Sequence, residues 1–250
     1  MNVYVRDLSR ELGRRGLAVD CFTRSQDPDI PCVSERLGPN CRVIHVPAGP
    51  EAPYDKNRVA DHLPEFVRRV LDFSQREELR YDVIHSHYWL SGLAARDLRR
   101  AWGVPVVQMF HTLGHMKNSV ASGPEEWESE RRIEGEGEVM ELADRLVAAT
   151  PLERAQMVWL YGADANKISV VPPGVDLDLF CPIPTEEARR SLGLPVSRRI
   201  VLFVGRIEPL KGIDTLLKAM ALVVPDIPCW QEELSLIIIG GAPGAGVEQV

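Results

Sequence analysis

Short apolar runs alternate with amphipathic stretches along most of this 250-residue chain. The runs include "LAVDCFTR", "CRVIHVPAG", "YDVIHSHYW" and "VPVVQMFHT", and helical periodicity lies between several of them, as in residues 62–76. Buried strands that alternate with helices over short connections form a parallel sheet with helices on both faces. We therefore expect an α/β protein built on parallel sheets.

A proline-rich segment near residues 176–184 interrupts this alternation. A second α/β unit follows it, with a helix from Glu186, the strand "RRIVLFVG", the helix "IDTLLKAMALVV" and the strand "LSLIIIGG". We predict two domains, covering residues 1–176 and 177–250. The chain opens on an amphipathic helix with apolar contacts at Val3, Leu8 and Leu12, where an α/β domain usually opens on a strand. We therefore expect both domains to be incomplete.

The composition narrows the range of partners. The formal net charge is -7, which argues against a broad nucleic-acid-binding face, so any cluster of cations must be local. The five cysteines are scattered without metal-ligand spacing, as is typical of reduced cytoplasmic thiols. No apolar run is long enough to span a bilayer. We predict a cytoplasmic protein without a transmembrane segment, and the oligomeric state stays open.

Polar residues follow several of the predicted strands. Ligands of parallel sheets bind beyond the carboxyl ends of the strands, so these positions are the first candidates for chemistry. They are His85, His87, Tyr88, His111, Thr112, Thr150, Arg206 and Lys211.

The stretch "GRIEPLKG" places Arg206 and Lys211 on a loop after a buried strand. Gly205 lets the backbone approach a ligand closely, while arginine offers a fork and lysine a point charge to phosphate oxygens. This pattern favours a diphosphate site. The alternative is a solvated loop on which Glu208 pairs with one of the cations.

The histidines of "HSHYW" allow two interpretations. His85 and His87 have the spacing of a metal-binding pair on a strand end, but no carboxylate or cysteine stands at ligand spacing beside them. We expect hydrogen-bonded corner residues and no metal site.

The acidic stretch "ESERRIEGEGE" contains Arg131 and Arg132. One interpretation is a solvated helix face on which Glu128 and Arg132 form an i,i+4 pair. The other is that one of the two arginines turns inward towards an anionic substrate.

Six stretches together resemble the retaining glycosyltransferases of family 4: "MNVYVRDLSRELGRRG", "YDVIHSHYWLSG", "FHTLGHMKN", "ESERRI", "ISVVPPGVDLDLF" and "FVGRIEPLKG". Within the family, the closest likeness is to the D-inositol-3-phosphate glycosyltransferase group, with the sucrose-phosphate synthase group as a near neighbour. The resemblance implies the GT-B architecture of two Rossmann-like domains with parallel sheets. Residues 1–176 would form an acceptor-binding domain without its first strand. Residues 177–250 would begin a nucleotide-sugar-binding domain, so we expect a chain truncated at both ends.

The resemblance also implies roles for individual residues. Arg206, Lys211 and Gly205 would hold the donor diphosphate, and His111 would lie beside the reacting sugar as a catalytic residue with Arg206 and Lys211. Asn2 would touch the acceptor or the donor. Two cations and two hydroxyls suit a phosphate monoester on the acceptor, which would be bound by Lys56, Tyr88, Thr112 and Arg131.

The implied activity is transfer of a sugar from a nucleotide-diphosphate sugar, of the UDP-sugar kind, to a phosphorylated polyol or sugar with retention of configuration. The family needs no resident cofactor for this reaction, because the nucleotide sugar is a co-substrate. Two alternatives stay open: transfer to fructose 6-phosphate, as in sucrose-phosphate synthases, and an inactive fragment that only binds phosphorylated ligands. A nicotinamide oxidoreductase is disfavoured, since no G-x-G-x-x-G follows a strand.

Overall fold

The computed structural model describes residues 2–52, 54, 58–121, 123–208, 211–227 and 230–241. The chain divides into two compact units. The first comprises residues 1–116 and 128–176, and the second comprises residues 117–127 and 177–250. None of the helices in the described ranges is long and apolar enough to cross a membrane.

The first unit alternates strands and helices in the predicted manner. Its elements, with the short helix α4 that runs past its edge, are α1 (Asn2–Arg14), β1 (Val19–Arg24), β2 (Val33–Gly38), β3 (Cys41–Val46), α2 (Leu63–Arg76), β4 (Ile84–His87), α3 (Trp89–Trp102), β5 (Val106–Met109), α4 (Gly114–Asn118), α5 (Glu130–Leu142), β6 (Arg145–Ala148), α6 (Pro151–Tyr161) and β7 (Ile168–Val170). Gly103 and Gly162 end α3 and α6 in the left-handed conformation, with φ of 70° and 69°. Glycine is common at such helix ends because it adopts positive φ without strain.

The strands of the first unit form two sheets. The larger has the order β4-β5-β6-β7 with every pair parallel, which confirms the prediction of a parallel sheet. In the smaller sheet, β1 pairs with β3 in parallel, and β2 adds an antiparallel edge strand. The polar sequence of β2, "VSERLG", favours a loop, and in this respect it misleads. An edge strand that faces solvent needs no apolar run, and so it carries no clear pattern.

The core of the first unit lies between its sheets and helices. Ile44 and Val46 of β3 pack with apolar side chains of α2 and α3, and β4 to β7 pack with α3, α5 and α6. At Gly92 a Cβ atom would lie 2.5 Å from the side chain of Val139, so this glycine allows α3 to approach α5 closely. This packing places α5 near the carboxyl ends of β4 and β5.

Helix α1 packs differently from its prediction. Val3, which was expected to anchor the helix, is 61% exposed, and the other two predicted apolar contacts are only half-buried. The buried residues of α1 are Ser9 and Gly13. A Cβ atom on Gly13 would lie 2.2 Å from the carbonyl oxygen of Pro39, so close backbone approach decides which face is buried.

The second unit contains α7 (Thr185–Ser191), β8 (Arg199–Val204), α8 (Ile213–Asp226), α9 (Trp230–Glu233) and β9 (Leu234–Ile239). Strands β8 and β9 pair in parallel, as predicted. Beyond them, the amide of Gly205 donates to the carbonyl of Ile239 at 3.0 Å. A Cβ atom on Gly240 would lie 1.8 Å from the carbonyl oxygen of Gly205, so glycine is required at residue 240 for the two strand ends to meet.

Candidate functional site

Two histidines meet at the carboxyl ends of β4 and β5. His87 ends β4, His111 lies just after β5, and His87 Nδ1 lies 3.0 Å from His111 Nε2, a hydrogen bond. The backbones of His111 and of Tyr88, the residue after His87, have φ of 65° and 75°. Non-glycine residues adopt such conformations at a cost of about 1–3 kcal/mol, and they cluster at functional sites. The strand ends therefore carry strained polar residues, at positions that the sequence analysis names as candidates for chemistry.

Tyr4 of α1 closes this cluster from one side. Its ring meets the rings of His111 and His87 edge-on, with centroids 5.1 and 5.9 Å apart. The rings of His85 and His87 lie 4.2 Å apart on the same side of β4. Tyr4 was not among the predicted site residues, although its spacing of four from Leu8 on α1 was a usable signal. Within the described residues, no group of three or more histidine, cysteine or carboxylate side chains could hold a metal ion.

Burial keeps the histidines of this cluster neutral. Loss of hydration, with the neighbouring imidazoles as a further cause, lowers the pKa of His87 to about 3 and that of His111 to about 4. The pKa of His85 is lowered by burial as well. At neutral pH each ring therefore offers one N–H donor and one acceptor nitrogen, without charge.

These pKa shifts predict how stability depends on pH. Unfolded histidines bind protons near pH 6.5, whereas folded His87 does so only near pH 3, so this contribution is fully present above about pH 6.5 and is lost as the pH falls through the folded pKa. His87→Asn keeps a polar group near the Nδ1 position but cannot titrate. In urea titrations, its free energy of unfolding should fall less steeply between about pH 6 and pH 4, by up to about 1.4 kcal/mol per pH unit. Equal slopes for the variant and the original chain would contradict this linkage.

A buried arginine joins the two hydroxyl-bearing candidates, Tyr88 and Thr112. Arg132 Nη2 donates to the carbonyl oxygen of Thr112 at 2.9 Å and to its hydroxyl at 3.2 Å. The same guanidinium lies 5.0 Å from the ring centroid of Tyr88. The structure therefore brings Tyr88 and Thr112 together around one cation.

Arg132 lies in the core and not on a solvated helix face. It pairs with Glu128 at 3.1 Å and with Glu136 at 2.8 Å, and the three side chains are only 3%, 5% and 0% exposed. The i,i+4 pair with Glu128 from the first interpretation is present, but the solvated helix face of that interpretation was wrong. The helix turns this row inward because α5 packs against α3 and the loop after β5. Burial opposes the charge of Arg132, yet its hydrogen bond and ion pairs with the glutamates raise its pKa.

Glu136 links α5 to two further elements. It accepts a hydrogen bond from the amide of Gly114 at 2.9 Å and another from the hydroxyl of Tyr161 on α6. Burial, and then the bond to Glu136, raise the pKa of Tyr161. Neither Glu136 nor Tyr161 was predicted as a site residue. The spacing of four between residues 128, 132 and 136 was a signal for the glutamates, but nothing local pointed to Tyr161.

Two further candidates of the first unit, Arg131 and Asn2, lie at its surface. Arg131, the neighbour of the buried arginine, is 55% exposed and donates to Asp61 Oδ1 at 2.8 Å. This hydrogen bond lowers the pKa of Asp61. Asn2 is exposed on the first turn of α1. Lys56 lies outside the described residues.

Thr150, which follows β6, has a structural role. Its hydroxyl accepts from the amide of Glu153 at 3.0 Å and so caps α6. Glu153 in turn accepts from the amide of Ala149 at 2.6 Å, and burial raises the pKa of its carboxyl. The hydroxyl of Thr150 at this strand end therefore serves to cap α6.

The two candidate cations Arg206 and Lys211 lie on the loop between β8 and α8. Arg206 pairs with Glu208 at 3.0 Å, so the expected pairing on this loop is present, and Lys211 is exposed. Gly212, with φ of 67°, precedes the first turn of α8. Amides of a first helical turn have no partners within the helix, and they attract anions together with the helix dipole. The loop therefore carries Arg206 and Lys211 and leads directly into the N-terminus of α8.

Two family models match the chain. The "Glycosyl transferase 4-like domain" model matches residues 1–174, and the "Glycosyl transferases group 1" model matches residues 184–249.

Individual relatives agree with these models. The chain is 43% identical over its whole length to a D-inositol 3-phosphate glycosyltransferase of Nocardiopsis dassonvillei and spans 58% of it. It is 44% identical, over 98% of its length, to the enzyme of the same name from Acidothermus cellulolyticus and spans 55% of that protein. Among solved structures, sucrose-phosphate synthase from Thermosynechococcus elongatus matches 98% of the chain with a TM-score of 0.83 and 33% identity, and the chain spans 58% of it.

The first family model alone covers more than half of the chain, and the structural likeness extends over both units. The predicted fold class, with parallel sheets of the GT-B type, is confirmed. The chain therefore belongs to the glycosyltransferase family described by the glycosyl transferase 4-like domain.

Proposed function

We propose that the protein transfers a sugar from a UDP-sugar to a phosphorylated polyol or sugar with retention of configuration. The observation that carries this proposal is the convergence of Tyr88 and Thr112 on Arg132, next to the strained and neutral His111. The names of the 43% and 44% identical relatives, D-inositol 3-phosphate glycosyltransferases, support an inositol phosphate as the acceptor.

The acceptor site suits a phosphate monoester. Two hydroxyls supply neutral donors, and Arg131 supplies a charge close by in the chain. Arg131 pairs with Asp61 in an exposed ion pair, and such a pair contributes about 0–1 kcal/mol. A phosphate dianion can therefore displace Asp61 and take both hydrogen bonds of the guanidinium fork. Lys56 belongs to the same proposed set.

On the donor side, we assign Arg206, Lys211 and Gly205 to the diphosphate. Negative charge develops on the leaving phosphate as the bond between sugar and oxygen breaks, and preorganised cations stabilise that charge most. The loop lies directly before α8, whose first turn adds favourable amides. No resident cofactor enters this scheme.

We assign His111 to the reacting sugar and Asn2 to a contact with the acceptor or the donor. The lowered pKa of His111 keeps its ring uncharged, so the imidazole can hydrogen-bond a sugar hydroxyl without repelling a cation-like transition state. We place the reaction in the cytoplasm, which agrees with the free thiols of Cys21, Cys32, Cys41 and Cys181.

A second candidate is transfer to fructose 6-phosphate. The structural match to a sucrose-phosphate synthase favours it. Both reactions need a phosphorylated acceptor, so the proposed phosphate site serves either. Incubation with a UDP-sugar and each acceptor in turn, followed by identification of the product, separates the two. Binding of both acceptors without any product would contradict a transferase.

Arg131→Ala tests the acceptor assignment. Loss of a charged hydrogen-bonding group is expected to weaken the binding of D-inositol 3-phosphate by about 10-fold or more, because hydrogen bonds to ions contribute about 1.5–3 kcal/mol. Binding of unphosphorylated inositol should hardly change. Isothermal titration calorimetry of both ligands measures the ratio.

Arg68→Ala is the matched control for this experiment. Arg68 is also exposed and also forms an ion pair, with Asp72 at 3.7 Å, but it lies on α2 and is not a candidate site residue. It should leave both affinities unchanged. Equal weakening of the two ligands by Arg131→Ala would indicate that Arg131 is only part of a surface ion pair.

A further inference from the structure

The carboxyl group of Glu153, in the first turn of α6, has one oxygen that capping does not explain. Oε2 accepts a hydrogen bond from the amide of Ala149 at 2.6 Å. Oε1 is buried and has no hydrogen-bond partner among the described residues. Buried polar atoms in proteins are nearly always hydrogen-bonded, because an unpaired one loses its hydration without compensation. The second oxygen of Glu153 therefore calls for a partner outside the described part of the chain.

Glu153 lies at the same edge of the larger sheet as the candidate site. Met109 and Val147 are the last paired residues of the parallel strands β5 and β6. His111 and Ala149 each follow two residues later. The amide that holds Glu153 thus comes just after β6, as His111 comes just after β5. Ligands of parallel sheets bind beyond these carboxyl ends.

Tyr4 connects Glu153 to the histidine cluster. Burial, and then the negative charge of Glu153, raise the pKa of Tyr4. The ring of Tyr4 meets that of His111 with centroids 5.1 Å apart. A carboxylate acts on a phenol in this way only when the two groups are close. Glu153 is therefore near the residue that we assign to the reacting sugar.

The chemistry of the unpaired oxygen selects the kind of ligand. An ionised carboxyl group only accepts hydrogen bonds, so its partner has to be a donor. Burial raises the pKa of Glu153, and the hydrogen bond from Ala149 opposes that rise. A phosphate group is itself an anion and would be repelled. A hydroxyl is a neutral donor that brings no like charge, and carbohydrates carry several of them.

We propose that Glu153 is a carbohydrate-contact residue, whose Oε1 accepts a hydrogen bond from a ring hydroxyl of the acceptor or of the transferred sugar. The inference rests on the proposed function and deepens it. It assigns the recognition of hydroxyls to a residue of α6, separately from the recognition of phosphate. The ligand then supplies the hydrogen bond that the described residues do not.

Glu153→Gln tests the proposal with little change of shape. Glutamine keeps an oxygen for the amide of Ala149 but removes the charged acceptor. Calorimetry with the full chain compares two matched pairs of ligands, D-inositol 3-phosphate with inorganic phosphate and UDP-glucose with UDP. The affinity for one ring-bearing ligand should fall about 10-fold, because hydrogen bonds to ionised groups are the stronger ones. The affinities for inorganic phosphate and UDP should stay within about 2-fold. The ligand that weakens identifies the acceptor or the transferred sugar as the partner.

Thr150→Ala is the matched control for a role in capping alone. The hydroxyl of Thr150 accepts from the amide of Glu153 at 3.0 Å, so alanine weakens the same helix end but leaves the carboxyl group in place. This variant should lower the urea midpoint and leave the affinities for all four ligands unchanged. Equal weakening of a ring-bearing ligand by both variants would overturn the inference, and so would an equal loss for its ring-free counterpart in Glu153→Gln.

The remaining outcomes separate the inference from the proposed function. If Glu153→Gln binds every ligand as the original chain does, water alone satisfies Oε1 and the inference fails by itself. If the original chain neither prefers D-inositol 3-phosphate to inositol nor binds UDP-glucose, the proposed function fails and the inference with it. If Glu153→Gln does not fold, Glu153→Asp replaces it. Aspartate keeps the charge but draws the oxygen back by one methylene, so the same loss for a ring-bearing ligand is expected.

Discussion

Lys211→Ala is expected to lower the rate of sugar transfer by about 100- to 1,000-fold, close to the loss of detectable activity, and to leave folding intact. The lysine would stabilise charge that appears only as the donor bond breaks, so its loss acts on the transition state. The side chain is exposed, and its removal leaves no cavity in a core. The measurements are kcat at saturating UDP-sugar and acceptor, and the urea midpoint of the same variant.

Lys218→Ala is the matched control for Lys211→Ala. Lys218 carries the same charge on α8 of the same unit, but it pairs with Asp214 at 3.5 Å on a solvated face. Its removal should change neither kcat nor the urea midpoint by a measurable amount. Near-normal turnover of Lys211→Ala would overturn the assignment of Lys211 to the diphosphate.

Arg132→Met should destabilise the chain by about 3–5 kcal/mol. The substitution leaves Glu136, which is fully buried, without its cation, and it removes the donors that hold the carbonyl of Thr112. Methionine has similar length, so the loss reports on charge and hydrogen bonding more than on packing volume. Urea titration at neutral pH gives the free energy of unfolding.

The neighbouring arginine offers a control that differs by one position. Arg131→Met removes an exposed ion pair with Asp61, and it should cost less than about 1 kcal/mol. Two variants of similar stability would contradict the distinction between a buried and a surface arginine. A loss at residue 131 greater than that at residue 132 would exclude the buried network as the main contributor.

Much of the fold follows from local patterns. Apolar runs predicted β3, β4, β5, β8 and β9, and glycines in the left-handed conformation end α3 and α6. These predictions succeed because buried parallel strands need apolar residues on both faces and because glycine alone adopts positive φ without strain. Strand β2 was missed, since an edge strand lacks that demand. Val3 was misjudged because close backbone approach at Gly13 selects the buried face of α1.

For the candidate site, too, the sequence predicted positions along the chain but not the contacts of individual side chains. The sequence located the strand-end residues Tyr88, His111 and Thr112, because parallel topology brings carboxyl ends to one edge. It could not say which of Arg131 and Arg132 faces inward, since one residue changes the direction of a helical side chain by about 100°.

The alternation of apolar runs and helices, together with the motifs, therefore establishes the α/β class, the family and the edge of the sheet where chemistry is expected. Packing between segments distant in the chain selects Arg132, Glu136 and Tyr161 as one buried network. That network joins α5, α6 and the loop after β5. Periodicity within a segment reports its own exposure to solvent, but it carries no record of which other segment supplies a partner for a buried charge.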